Sequence, residues 1–432
     1  MIWSLSAPTA CCPCRRDIFR NVLERSGAAH AFAGHLKIDF WTRGRIESQA
    51  GLLASLQREV SALVKRVRRG VGTLAGIAVL LGGVALRVAA AKSQTSGSED
   101  TALEQKVVQY IRGKYGFPDS IKLSAQPLRP FGYPAFDEMP ITIDDGKKGP
   151  QTTPVYLTKD RHYLIVGVLS PVGPDVKSEI VQLVHTQLKV PESWTVSPGA
   201  LRTSPYPNFL GSTVTWENGK QKQTQTYYVT RDNRLLVIGS IFNLVEDPRQ
   251  EALRTISLQN QPSQGPVRAP VIIVEYADLQ CPSCAVLHSF FENDLLPKYG
   301  GKVRLVFKEF PLVGVHDWSL TAAIANDCVY QMNPPAFVPF RTLVYQNQST
   351  FNAMNVRDLL LSYAEQAGVD RVRLAGCLDA KASLPKIEQD LEEGKRLNVR
   401  STPTCFVNGK MLVGAAPPAE FYKEIEDALA GK

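Results

Sequence analysis

Two cysteines three positions apart, Cys281 and Cys284, enclose Pro282-Ser283 and stand between an apolar run, VIIVEYAD, and a helix-like run, AVLHSFFENDLL. A pair at this spacing is a structural staple, half of a metal site, or a working redox couple. A zinc site wants a second Cys-x-x-Cys or a Cys/His pair, and Cys328, Cys377 and Cys405 are single and dispersed. A stabilising disulfide gains more from closing a longer loop. Position favours the redox reading. Val271 to Tyr276 is a β-branched-rich run suited to a strand buried on both faces. Apolar residues then recur at helical spacing at Val286, Phe290, Leu295 and Leu296, so Cys281 falls at a helix start and Cys284 in the first turn. Backbone N–H groups and the positive end of the helix dipole favour a thiolate on the first sulfur. The second thiol is then placed to resolve a mixed disulfide formed on the first.

Around this pair, residues 265–430 resemble a DsbA-family thioredoxin domain of the kind with a helical insertion. The resemblance rests on VIIVEYADLQCPSC, on KVRLVFKEFPL as the next buried strand, and on STPTCFVNGKMLVGA near the C-terminus. It implies that Thr402-Pro403 is the cis-proline loop facing the active-site cysteines and pairing with the substrate backbone. It also implies that Glu275 is the buried carboxylate beneath the second cysteine, able to accept the Cys284 proton, the alternative being a Glu at a strand end reaching solvent. Lys308 in the following strand is a candidate partner for Glu275. Related domains carry a second, structural disulfide in the helical insertion. Cys328 and Cys377 are the candidates for it here, with two free buried thiols as the alternative. Cys405, in an apolar strand, reads as a small buried hydrophobe. His288 and His316 lack a partner carboxylate in the sequence and read as packing or helix-end residues.

The elements that position these residues follow from local pattern. Helical stretches at Leu320 to Gln331 and Val356 to Ala367 make up the insertion, and Asn408-Gly409 marks a two-residue hairpin turn between Cys405-Phe406-Val407 and Lys410 to Val413. Upstream, the chain repeats itself. Val107-Val108-Gln109-Tyr110-Ile111 aligns with Ile180-Val181-Gln182-Leu183-Val184, and Pro118-Asp119-Ser120 aligns with Pro191-Glu192-Ser193, an offset of 73 residues. Tyr133-Pro134-Ala135-Phe136 matches Tyr206-Pro207-Asn208-Phe209 at the same offset. Each copy reads as an amphipathic helix followed by strands, with hairpin turns at Asp160-Arg161 and Asp232-Asn233. The unit resembles the N-terminal dimerisation module of DsbC/DsbG-type disulfide isomerases, with unrelated cystatin-like α+β modules as the alternative.

The net charge of +8 is carried by the start of the chain. Residues 1–91 hold 13 Lys/Arg against 5 Asp/Glu, whereas residues 92–432 hold 36 of each, which leaves no basic stripe for nucleic acid. Lys65-Arg66-Val67-Arg68-Arg69, the uncharged run Gly70 to Leu86 and Ala89-Ala90-Ala91 are the parts of an export signal or a short membrane anchor. Residues 1–60 have no sustained period and read as disordered or as a start assigned too early. Cys11, Cys12 and Cys14 within them lack the second Cys/His pair of a metal site.

The expected organisation is therefore a signal or anchor at 61–91, α+β repeats at 100–174 and 175–250, a linker at 251–268, and an α/β thioredoxin fold with a helical insertion at 269–432. The function expected is exported thiol–disulfide exchange through Cys281 and Cys284, acting on exported, cysteine-containing proteins together with a membrane or periplasmic redox partner. No metal and no cofactor are called for. Two other readings are a chaperone module that holds unfolded clients and a peroxidase, although the loop lacks the Thr and Arg that a peroxidatic cysteine prefers. Two copies of the pairing unit on one chain imply internal pairing and a monomer, with a homodimer as the alternative.

Overall fold

The computed structural model describes residues 100–219 and 222–431. The expected signal or anchor, the segment 1–60 and Cys11, Cys12 and Cys14 lie outside the described residues. No helix among the described residues is long and apolar enough to cross a membrane.

Residues 100–250 build one ten-stranded sheet flanked by two helices. Helix α1 covers residues 100–115. After it come β1 (Lys122–Ala125), β2 (Arg129–Pro130), β3 (Phe136–Asp144), β4 (Gln151–Thr158) and β5 (Tyr163–Pro171). Helix α2 (Val176–Gln187) then precedes β6 (Thr195–Pro198), β7 (Arg202–Thr203), β8 (Phe209–Glu217), β9 (Lys222–Thr230) and β10 (Leu235–Asn243). The strand order β1-β3-β4-β5-β10-β9-β8-β6 reads alike from both ends, with β2 on β3 and β7 on β8. Asp175 caps α2, accepting the Ser178 N–H, and Val176, Ile180, Leu183 and Val184 turn its apolar face onto Val214, Trp216 and Val229.

The centre of the sheet is the antiparallel pair β5–β10, where Gly167 stands directly opposite Gly239. Both have φ near +147° (146° and 148°), and a Cβ on either would lie 2.2 Å from a carbonyl oxygen of the other strand. Only glycine allows this approach. Phe136 and Phe209 stack across the seam at 5.9 Å.

The second sheet has the order β11-β13-β12-β14-β15. Strand β12 (Val271–Ala277) runs parallel to β13 (Val303–Glu309) and antiparallel to β14 (Thr404–Val407). β14 turns into β15 (Lys410–Val413) over Asn408 and Gly409, both at positive φ as a two-residue hairpin requires. The stretch 251–268 is more than a linker. It holds the end of α3 (Pro248–Thr255) and the edge strand β11 (Ser263–Gln264), which pairs with β13. Sequence reasoning missed this strand because it is short and lies among Pro, Gly and Gln.

Helix α4 (Pro282–Phe290) follows β12 and continues through a π-turn over Phe291–Leu295 into α5 (Leu296–Tyr299). The insertion comprises α6 (Ser319–Met332), α7 (Phe337–Gln346), α8 (Val356–Gln366) and α9 (Arg371–Asp379), followed by α10 (Leu384–Arg396). The last helix, α11 (Pro418–Leu429), buries Phe421 and Ile425 against the sheet. The two sheets meet through side chains. Asn398 Nδ2 donates to the Lys114 carbonyl at 2.9 Å, Arg400 donates to Ser240 Oγ at 2.8 Å, and Lys114 pairs with Glu251 at 2.6 Å.

Candidate active site

Strand β12 ends at Ala277 and the chain turns into α4 within a few residues. Asp278 makes that turn. Its Oδ1 accepts the Gln280 N–H at 2.8 Å, its Oδ2 accepts the Leu312 N–H at 2.8 Å, and its own N–H points at Cys284 Sγ, 3.5 Å away. Cys281 is the N-cap of α4 and Pro282 opens the first turn, a place where the missing N–H costs nothing. Cys281 and Cys284 are both free thiols, 8% and 0% exposed. Their environments push them apart. The Cys284 thiol beside it, with Thr402 and the amides of Ser283 and Cys284, holds the Cys281 thiol down at about 6 against the upward pull of burial. Burial first, and then Cys281 itself, push the Cys284 thiol well up. The two thiols are thus unequal, the first held toward its thiolate and the second toward its neutral form.

The Thr402–Pro403 bond is cis, and Cys281 Sγ lies 3.3 Å from the Thr402 carbonyl oxygen. Glu275 is wholly buried, and its Oε1 has no hydrogen-bond partner. Burial pushes its carboxyl up to about 7, with Arg341 pulling the other way. Cys328 and Cys377 are joined by a disulfide of 2.03 Å that ties α6 to α9. Cys405 is a free buried thiol opposite Glu275 in the β12–β14 register.

Two expectations need correction. Lys308 does not pair with Glu275. In the parallel register Glu275 stands beside Phe307 and Lys308 beside Tyr276. Because strand side chains alternate between faces, Lys308 emerges on the opposite side of the sheet. There it meets Asp390 at 3.1 Å and Glu393 at 2.7 Å. The partner of Glu275 is Arg341 of α7, at 3.1 Å. His316 also has a carboxylate: its Nδ1 is 2.7 Å from Asp278 Oδ2, a hydrogen bond that raises its pKa above the ordinary histidine value. His288 is a packing residue, bonded to Thr342 Oγ1 at 2.8 Å and tilted against the Tyr345 ring at 5.1 Å.

Sequence reasoning missed Asp278 and Arg341, and both left a signal. Asp278, two residues before Gln280 at a strand end, has the placement of an Asx turn. Arg341 interrupts the apolar stripe Phe337, Phe340, Val344, Tyr345, and a charge on a buried helix face needs a buried partner.

A thioredoxin-type sheet carrying two unlike thiols at a helix start, opposite a cis-proline loop, defines a thiol–disulfide exchange domain. A family model described as Thioredoxin matches residues 257–427. The probable disulfide bond formation protein D of Bacillus cereus is 31% identical over 183 residues, which is 41% of this chain and 84% of that protein. Disulfide bond formation protein D of Bacillus subtilis is 29% identical over 184 residues, 41% of this chain and 80% of that protein. The crystal structure of oxidised BdbD from Bacillus subtilis matches 40% of this chain and 95% of its own at 28% identity, with a TM-score of 0.37. The chain belongs, through its C-terminal region, to the DsbA-like family of disulfide bond formation proteins, thiol–disulfide oxidoreductases built on the thioredoxin fold.

Proposed function

We propose that this chain exchanges disulfides with cysteine-containing proteins outside the cytoplasm, through Cys281 as nucleophile and Cys284 as resolving thiol. The observation that carries the reading is the inequality of the two thiols: Cys281 lowered to about 6 at the helix start, Cys284 wholly buried and raised, with the charge of Glu275 among the causes. In the reducing direction the Cys281 thiolate attacks a substrate disulfide, one S–S bond breaks, a Cys281–substrate bond forms, and a substrate thiolate leaves. Cys284 passes its proton to Glu275 and attacks Cys281 Sγ. The Cys281–Cys284 bond forms, the second substrate thiolate leaves, and two electrons have moved from the pair to the substrate. Run in reverse, the same steps oxidise a substrate dithiol. The cis Thr402–Pro403 loop, 3.3 Å from Cys281 Sγ, offers backbone groups to an extended substrate segment.

Placement outside the cytoplasm is supported by the Cys328–Cys377 disulfide, which a reducing compartment disfavours, and by the signal-like pattern of residues 61–91. The ten-stranded sheet serves as a platform in which two copies of one unit pair within a single chain, giving a monomer with one active site. The β5–β10 seam and its opposed glycines support this.

The test is a pair of variants given a disulfide-bonded substrate protein. Cys281→Ala is expected to abolish exchange. Cys284→Ala is expected to accumulate a mixed disulfide that mass spectrometry locates on Cys281. Adducts that run through Cys284 would overturn the assignment.

A further inference from the structure

The mechanism uses Glu275, but a second buried carboxylate lies on the same face of the sheet. In the parallel β12–β13 register, Glu275 stands beside Phe307 and Ala277 beside Glu309, so Glu275 and Glu309 point to one side. Arg341 bridges them. Its guanidinium lies 4.6 Å from the centre of the Phe307 ring, with Nη2 at 3.1 Å from Glu275 and Nη1 at 3.7 Å from Glu309. All three side chains are buried, at 0%, 0% and 4% exposure for Arg341, Glu275 and Glu309.

Other groups complete the surroundings. Glu309 Oε1 accepts a 2.6 Å bond from Asn326, and its own N–H faces Asp390 at 3.4 Å. Asp327 and Lys386, themselves 3.3 Å apart, act on it from α6 and α10. Around Glu275 stand Cys281, Cys284, Tyr345 and, further off, Glu292. Two desolvated carboxylates thus share one guanidinium, and a buried charge without its own counter-charge is expelled by protonation.

We infer that Glu309 is a positioning residue for the exchange reaction: it shares Arg341 with Glu275, the two acids hold one proton between them, and that proton rests on Glu309. Charge balance is the reason. With Glu309 neutral, the centre contains Arg341 and one anion both before and after the proton moves. That anion is the Glu275 carboxylate at first and the Cys284 thiolate afterwards. With Glu309 ionised, the same step runs at a net negative charge in a buried site. The shorter Arg341 contact to Glu275 favours the ionised form there. Burial raises both acids to about 7, against the pull of Arg341 and, at Glu309, of Asn326 and Lys386 as well, which is where coupled titration of the pair matters for a working enzyme.

The inference rests on the proposed role of Glu275, and the experiment separates the two. Reduced protein is mixed with an aryl disulfide that releases one chromophore when Cys281 attacks and a second when Cys284 resolves, and the second phase is followed against pH. Glu275→Gln is expected to remove the acid limb of that phase. Glu309→Gln fixes the neutral state in which Glu309 is held to rest, so its acid limb is expected to stay at the wild-type pH while the fall in rate that follows ionisation of Glu309 at higher pH is lost. A loosened fold would lower the rate at all pH values and keep that alkaline fall. An alkaline fall kept in Glu309→Gln, with the acid limb lost in Glu275→Gln, would overturn the inference alone. A limb kept in Glu275→Gln would overturn the Glu275 reading and this one with it. Should Glu309→Gln not fold, carbon NMR of the two carboxyl groups in the reduced wild type decides. Shared titration curves are expected, and an independent Glu309 step at the ordinary value of about 4.3 would overturn the inference.

Discussion

The platform and the exchange domain are held together by different physics. Among the described residues of 100–250 the buried charged side chains are Lys114 and Asp137, each paired at the rim with groups that reach solvent: Lys114 with Glu251, Asp137 with Lys159 and Arg161. The rest of that core is aromatic and aliphatic with the uncharged Thr153, Thr158, Ser212 and Thr230, closed by the glycine seam. The exchange domain buries Glu275, Asp278, Lys308, Glu309, Asp327, Arg341, Asp390 and Glu393. Buried charge is costly and is kept where position or chemistry requires it. Part of it surrounds the cysteines on one face of the second sheet. On the other face Lys308, Asp390, Glu393 and the Tyr276 hydroxyl, 2.5 Å from Glu393, fasten α10 to the strands. The difference predicts that the platform fails by steric insult and the exchange domain by changes of redox state and pH.

The largest effect is expected from the Cys328–Cys377 bond, which closes a loop with a sequence separation of 49 residues. By the chain-entropy account, a loop of this length stabilises by about 4 kcal/mol. Replacing both cysteines by serine is expected to lower exchange-domain stability by that order while leaving the platform unmoved. Fluorine-labelled tryptophan resolves the two, because Trp318 stacks on Phe351 inside the insertion and Trp216 packs beneath α2. Equal loss at both reporters would break the comparison, since it would mean that the two regions unfold as one.

A smaller effect is expected at the seam. Gly167→Ala brings a Cβ to 2.2 Å from the Ile238 carbonyl oxygen at a φ of 146°. Backbone strain and overlap together cost roughly 3 kcal/mol. The loss should appear at Trp216, and the thiolate absorbance of Cys281 should titrate as in the wild type. A shifted Cys281 titration would show that the platform tunes the active site through Arg400 and Asn398, and the division drawn above would fail.

What the sequence made legible follows the same division. The setting of the cysteine pair could be read because it is local: a strand, a turn and a helix start lie within a few residues of Cys281. The hairpin turns at Asp160-Arg161 and Asp232-Asn233 could be read because turn residues are local too; Arg161 and Asn233 do sit at positive φ. The Glu275–Arg341 contact spans 66 residues and depends on how α7 packs over β13. No spacing rule reaches across that distance, and the nearer Lys308 is the partner that sequence without a register suggests. Alternation would have excluded Lys308, had the parallel pairing of Glu275 with Phe307 been known.

The smallest effect concerns His288, whose burial is structural and still pH-dependent. It lies on α4 at 4% exposure, and its Nδ1 has no hydrogen-bond partner. Burial first, and Arg341 second, lower its pKa to about 3 from an ordinary 6.5. Between those two values the unfolded chain binds a proton that the folded chain refuses, so this residue makes stability rise with pH across the window. Going from pH 7 to pH 5, it is expected to cost about 2 kcal/mol. Glu275 and Glu309 have raised values and act with the opposite sign, binding protons in the folded state that the unfolded state has lost. A bare stability profile would therefore mix the two. The difference between wild type and His288→Gln removes the carboxylates from the account, because both proteins carry them, and the glutamine amide can still reach Thr342. Denaturant unfolding at the two pH values should find His288→Gln gaining about 2 kcal/mol on the wild type at the lower one. A gap independent of pH would mean that the folded protein admits a charged imidazole beside Arg341, and the exchange domain would then tolerate more buried positive charge than its network of carboxylates suggests.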